Sequence, residues 1–310
     1  MSAITKYEKY LFILPGTLSV LALLALGLWG LKPGIDLAGG SLLQVSYLPA
    51  QAGTGTSVPT ELQVREAVLP LKATLGEIRI QPTNTSGYIL RQRDLTTEEK
   101  NTLEKTLGTL GQMREDQFNS VGPTIGQELL QKAWIAVTLV TVCIILFIAF
   151  AFRGVSKPVQ SWKYGIVAII TLLHDILIPA GLFAALGHFL GAEVDSLFIV
   201  ALLTILGISI NDTIVVFDRI RENLRKNEET RKREQFDEVV GKSIMQTLAR
   251  SINTSVTVLI VLAALYFIGP ASTRDFALTL IVGMIAGTYS SIFLASPLLV
   301  VWERFSHRKN

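Results

Sequence analysis

The chain is poor in charge. Only 17% of its 310 residues are Asp, Glu, Lys or Arg, against about a quarter in soluble globular domains, and half are hydrophobic. That shortage excludes an ordinary soluble domain and makes this a membrane protein. Cysteine is almost missing. The one thiol, Cys143, lies in an apolar run, which rules out an intrachain disulfide and leaves a small hydrophobe. The polar part of the chain lacks metal-ligand spacing, a phosphate-binding loop and any nucleophile–base–acid constellation. No metal, no other cofactor, no covalent catalysis and no nucleic-acid partner is expected. The net charge of +3 is small and informs only once it is mapped onto loops. The first apolar run, Leu11 to Leu31, lacks a convincing small-residue cleavage site and is too long for a signal-peptide core. It reads as a retained anchor.

Long apolar runs are what the chain has instead. Six segments can cross a hydrocarbon core, which needs about 20 residues of helix: 11–31, 133–152, 164–187, 196–217, 254–273 and 276–302. The short loops set the orientation. Arg153, Lys157 and Lys163 lie at 153–163. Nine Lys or Arg, including the run Arg231-Lys232-Arg233, lie at 219–250. Arg304, Arg308 and Lys309 end the chain, and Lys6 and Lys9 begin it. The 188–195 loop has none and the 270–275 loop only Arg274. Both termini are thus expected in the cytoplasm, with the region after the first span outside. The expected division is 1–32 for the N-terminal segment and first span, 33–131 for an extracytoplasmic domain, 132–303 for a five-helix bundle with a cytoplasmic loop at 219–250, and 304–310 for a cytoplasmic tail. The 219–250 loop reads as a solvated amphipathic stretch.

The outer region alternates strand and helix signals. SLLQVSYL at 41–48 reads as a strand. A Gly/Ser/Thr/Pro linker covers 50–59, and Thr60 opens a helical stretch, TELQVREAVLPL. GEIRIQP and SGYILRQR read as strands split by a turn at Pro82-Thr83-Asn84. Thr96 and Glu99 fit a capping box that opens a helix to about Leu110, and a last strand falls near 112–120. The order β-α-β-β-α-β is that of a ferredoxin-like domain, a fold that argues nothing about activity by itself. Asn84-Thr85-Ser86 matches a glycosylation acceptor, a pattern common by chance. The fold class expected for the whole chain is an α-helical polytopic membrane protein carrying this small α+β domain.

The spans contain polar residues that need a reason. A charge at the bilayer centre costs ~2.5–3.5 kcal/mol on insertion scales, so an intramembrane carboxylate is a functional candidate by default. At 1.5 Å per residue, Asp212 sits roughly 8 Å and Asp175 roughly 16 Å inside the cytoplasmic boundary. Thr204, Gly207 and Asn211 fall within about 60° of one another on the fourth span, flanked by Ser209 and Asp212. Such a stripe faces protein or water rather than lipid. Arg250, about four residues before the fifth span, is long enough to reach Asp212. Burial and a nearby Arg pull a carboxylate in opposite senses, and the balance decides whether it loads and releases protons. Asp212 is therefore a candidate proton relay. The alternatives are a permanent ion pair with Arg250 and a side chain snorkelling to the interface. His174 and Asp175 are neighbours that point in different directions, so at most one of them faces the Asp212 stripe. Gly283 and Gly287 form a GxxxG for close helix packing, and Gly39-Gly40 reads as a turn.

Five stretches together resemble one known family: GIDLAGG (34–40), VGPTIGQEL (121–129), LHDILIPAGLF (173–183), ISINDTIVVFDRIREN (208–223) and LARSINTSVTVL (248–259). They resemble the motifs of SecF, the membrane subunit of the SecDF protein-export complex in the resistance-nodulation-division superfamily. The resemblance runs nearly the whole chain, in the same order and spacing. It implies pairing with SecD, association with the SecYEG channel, and use of the proton-motive force to draw an emerging polypeptide across the membrane. The proton would be the coupling ion. By resemblance Asp212 and Arg250 take part in proton passage, with Asn211, His174 and Asp175 as further candidates. The expected setting is a bacterial inner membrane, among its lipids, or a thylakoid membrane where the source has one. The family's first motif usually has Phe where this chain has Leu37, and residues 51–60 suggest a longer linker.

Two rivals differ in what they require. A small-molecule or lipid exporter of the same superfamily usually carries far larger outer domains on one long chain. A non-transporting assembly scaffold would tolerate Asp212→Asn where packing is kept, and a relay would not.

Overall fold

The structure is a computed structural model, and it describes residues 3–48, 58–83, 86–151, 160–231 and 234–307. The linker expected at 50–59 lies outside the described residues except for Val58 and Pro59. So do Asn84 and Thr85 of the glycosylation pattern, Arg153 and Lys157, Lys232 and Arg233, and Arg308 and Lys309. By internal contacts the chain forms two compact units, Pro33–Trp134 and the remainder.

Helix α1 (Ala3–Trp29) belongs to the larger unit. The smaller unit begins with the single turn α2 (Ile35–Ala38) and strand β1 (Gly40–Tyr47). Helix α3 (Glu61–Val68) starts at a capping box in which Thr60 and Gln63 satisfy each other's backbone N–H. The stretch read as one helix breaks there. Pro70 has no N–H to donate and its ring crowds the preceding turn, so Leu69–Leu71 is a 3₁₀ turn and α4 (Lys72–Leu75) is separate. Strands β2 (Arg79–Thr83) and β3 (Gly87–Gln92) follow, then α5 (Thr97–Gly108), opened by the expected Thr96–Glu99 box, and β4 (Met113–Val121). Of the turn expected at Pro82-Thr83-Asn84, Pro82 and Thr83 belong instead to β2, where they pair with Tyr88 and Gly87. β2 is an edge strand, where a proline is tolerated.

The sheet order is β2-β3-β1-β4 with every neighbour antiparallel, the ferredoxin-like arrangement expected. Strand alternation puts Leu43, Val45, Tyr47, Tyr88 and Leu90 on one face, and Val64, Val68, Leu75, Leu103 and Leu107 of the helices cover it. The motifs around Gly39 and Gly126 meet in this unit. A Cβ on Gly126 would stand 2.6 Å from Gly39 N, and one on Gly39 would stand 2.7 Å from Pro123 Cα. The Gly39-Gly40 turn is therefore also a close backbone contact.

The larger unit contains the remaining helices. These are α6 (Pro123–Ala151, whose first turns lie in the smaller unit), α7 (Ser161–Leu190), α8 (Ser196–Glu229), α9 (Phe236–Ile268), α10 (Arg274–Ser290) and α11 (Ser296–His307). A π turn, Ser291–Ala295, joins α10 to α11, so the sixth span is one rod with a wide turn in it. Six stretches are long and apolar enough to cross a membrane, which makes this a multi-pass membrane protein. The reading of 219–250 as a loop is corrected. α8 runs to Glu229 and α9 starts at Phe236, because Ile220, Val239, Val240 and Ile244 keep an apolar face buried. Asn223 Nδ2 ties the two helices by donating to Ser243 Oγ and Gln246 Oε1, each at 2.8 Å. The bundle core is built on Tyr164, Val167, Leu206, Phe217, Ile220 and Leu299.

Candidate functional site

Small residues let the helices approach. Gly283 of α10 faces Ile205, and a Cβ on Gly287 would lie 3.1 Å from Ser209 Cβ. The GxxxG thus packs α10 against α8. Hydroxyls then cross-link the helices at the same level. Thr213 and Ser291 share a hydrogen bond of 2.9 Å, and Ser255 and Thr288 one of 2.6 Å. In low dielectric, an unmade hydrogen bond is costly, so these pairs fix the register of α8, α9 and the sixth span.

Asp212 is half-buried on α8, and Ser251 Oγ of α9 donates to its Oδ1 at 3.0 Å. Arg250 is exposed and lies mid-helix, since α9 starts earlier than the sequence suggested. Its charge acts on Asp212, yet among the described residues the two form no ion pair within 4.0 Å. Asn211, next to Asp212, is exposed. The stripe therefore divides. Ser209 and Thr213 face the interior, Asp212 sits at the boundary, and Gly207 and Asn211 are on the exposed surface.

A cavity of about 140 Å³ lies between α8, α9 and α10. Thr204, Ser209, Asn211, Asp212, Ser255 and Thr288 line its polar wall, and Ile205, Val258, Leu262 and Met284 its apolar one. Asp175 is fully buried. Ser209 Oγ donates to its Oδ2, and its Oδ1 meets His174 Nδ1 at 2.9 Å. The structure thus brings Asp212 and Asn211 onto one cavity, places Asp175 behind it through Ser209, and leaves Arg250 on the outside. Sequence reasoning passed over Ser251, Ser255, Thr288 and Ser291. The signal was available: Ser251 and Ser255 are four apart on α9, as are Gly287 and Ser291 on the sixth span. Among the described residues, no group of three or more His, Cys, Asp or Glu could hold a metal.

Fold and site define a polytopic membrane protein with a ferredoxin-like domain and a carboxylate set at a cavity inside its helix bundle. Residues 101–305 match the family described as Protein export membrane protein SecD/SecF, C-terminal. The chain belongs to the SecF family of protein translocase subunits. It is 43% identical over 297 residues to protein translocase subunit SecF of Thermobaculum terrenum, covering 94% of this chain and 89% of that one. It is 35% identical to the Synechocystis subunit of the same description, covering 98% and 95%. The crystal structure of SecDF, a translocon-associated membrane protein from Thermus thermophilus, matches with a TM-score of 0.80 at 33% identity. That match covers 97% of this chain but only 38% of the SecDF chain.

Proposed function

We propose that this chain, paired with a SecD subunit, uses the proton-motive force to promote export of polypeptides through SecYEG. The observation that carries the proposal is the state of Asp212. Its carboxylate is held by a serine hydroxyl at the edge of a cavity and, among the described residues, is not locked in an ion pair. Such a group can change protonation without breaking a salt bridge.

Asp212 exchanges the proton and Arg250 sets the field beside it. Asn211 offers an amide at the cavity, and His174 and Asp175 serve behind. The proton is the coupling ion, and the mechanism uses no cofactor, metal or covalent step. One charge crossing the membrane is worth ~2.3 kcal/mol per 100 mV. It biases the bundle only by its different affinity for two conformations, so Asp212 must bind the proton differently in each. The outer domain moves with that change.

A partner subunit is supported by the surface of α8 and α9. Asn211, Arg250, Asn253, Thr254 and Thr257 are all exposed in this chain at positions within the apolar spans, where lipid is a poor neighbour for them. SecD would cover that face. Both termini lie in the cytoplasm and Pro33–Trp134 outside, in a bacterial inner membrane, as the basic loops favour.

The test is export of a secreted precursor into vesicles carrying Asp212→Asn with SecD, with and without a proton gradient. Asn keeps size and hydrogen bonding but cannot ionise. The expected result is loss of gradient-dependent stimulation while the subunit still accumulates and pairs. Stimulation that survives makes the carboxylate structural.

A further inference from the structure

Ser209 belongs to two features at once. Its hydroxyl donates to Asp175 Oδ2, and its side chain also lines the cavity at Asp212. Asp212 follows three residues later on α8, about one turn away. Asp175 is enclosed on every side. His174 Nδ1 holds its Oδ1 at 2.9 Å, and α10 closes over it at Gly287, where a Cβ would lie 3.6 Å from Oδ2. His174 is itself 5% exposed, and its Nε2 has no hydrogen-bond partner among the described residues.

A buried carboxylate must be paired or neutralised. The groups facing this one are few. α7 supplies His174, α8 supplies Ser209 with Asp212 one turn on, α9 supplies Arg250 beyond Asp212, and α10 approaches at Gly287. Neutralisation of Asp175 therefore comes from His174 or from a proton, and the way to the cavity runs through Ser209.

We propose that Ser209 is a relay hydroxyl joining the cavity to the His174–Asp175 pair, which makes that pair a second proton-holding station. The proposal rests on the reading of Asp212 as the proton carrier. In the step, Ser209 Oγ accepts a proton from a water in the cavity and passes its own hydroxyl proton to Asp175 Oδ2. The water takes the proton of Asp212 in the same movement and stays water, so Ser209 ends as a neutral hydroxyl, Asp175 as a neutral acid and Asp212 as a carboxylate. No heavy-atom bond changes. The cavity is large enough for several waters.

The test is time-resolved infrared spectroscopy after an acid pH jump, on the full chain paired with SecD in lipid nanodiscs. The readout is the carboxylic-acid C=O band that Asp175→Asn removes. Ser209→Ala removes only an oxygen and keeps the packing. The expected result is that the Asp175 band rises on the order of 10²-fold more slowly in Ser209→Ala, the usual worth of a positioned proton-transfer group. A band of unchanged rate in Ser209→Ala, or no band that Asp175→Asn removes, overturns the proposal. Asp212→Asn separates the two readings: survival of gradient-driven export in that variant overturns the relay role of Asp212, whatever Ser209→Ala does.

Discussion

Gly39 is the point where two of the chain's motifs close on each other, and replacing it should be expensive. Its backbone has φ +81° and ψ +154°, a region that is essentially glycine's and costs of order 1–3 kcal/mol for another residue. A Cβ there would also stand 2.7 Å from Pro123 Cα and 3.0 Å from Pro123 N. Overpacking of that kind costs about 1–3 kcal/mol, and backbone atoms yield less than a side chain. Gly39→Ala should therefore destabilise Pro33–Trp134 by about 2–6 kcal/mol, a large part of the ~5–15 kcal/mol that holds a domain folded. Gly126 is the control, because its Cβ would strike the same turn from the other side, 2.6 Å from Gly39 N. Gly126 lies within α6, so Ala there carries no dihedral strain and gains up to about 1 kcal/mol of helix propensity. Gly126→Ala should cost about 0–2 kcal/mol. The assay is urea unfolding of the excised Pro33–Trp134 unit, which has its own sheet and core, followed by circular dichroism. The reasoning fails if Gly39→Ala costs under about 1 kcal/mol, the size of an ordinary substitution, or if the two variants cost the same.

Other expectations are shorter to state. Leu103→Ala empties a fully buried position between α5 and the sheet and should cost about 2–5 kcal/mol in the same assay; a loss under about 1 kcal/mol would contradict the packing. Hydrogen bonds from Arg93 and from the Thr96 backbone hold the Glu99 carboxyl down to about 2. A depressed folded value means that the stabilisation is present above pH 4.5 and lost as pH falls toward about 2. An NMR titration should find Glu99 near that value, and Arg93→Gln should move it up toward the ordinary carboxylate range. Burial, and secondarily the neighbouring Tyr88, push the Tyr47 hydroxyl up to about 12. That contribution is present below pH 10 and lost as pH rises toward 12, and ultraviolet titration of tyrosinate reads it directly. In the bundle, Gly283→Leu would drive a side chain into Ile205. The full chain in detergent should then melt earlier than wild type, and an unchanged melting temperature would show that α10 and α8 do not depend on that contact.

The fold was legible wherever a local rule had no competitor. The six spans follow from runs of apolar residues, and the Thr96–Glu99 capping box works as written. Legibility failed where tertiary contact decided the outcome. The basic 219–250 stretch looks like a loop by charge, yet its buried positions recur at helical spacing and α8 and α9 continue through it. Thr60 caps α3 through a box closed by Gln63 in place of Glu. Pro82 looks like a turn residue because a strand donor is lost there, but an edge strand needs no outward donor.

The site divides the same way, and the division has a physical cause. Carboxylates in an apolar run stand out because their burial is costly, so Asp175 and Asp212 are visible from sequence. Hydroxyls do not stand out, because a serine or threonine in a membrane helix satisfies itself on its own backbone, as Thr254 does on Arg250 O and Thr257 on Asn253 O. Close approach between helices, as at Gly283 and Gly287, turns such groups into links, and no pattern within one helix reports its neighbour. That is why Arg250 was the expected partner of Asp212 and Ser251, one residue on, is the one that touches it. Adjacent helix positions differ by about 100°, so Ser251 turns inward where Arg250 turns out. The charge is left on the exposed face, and the carboxylate is left with a hydroxyl that either protonation state can use.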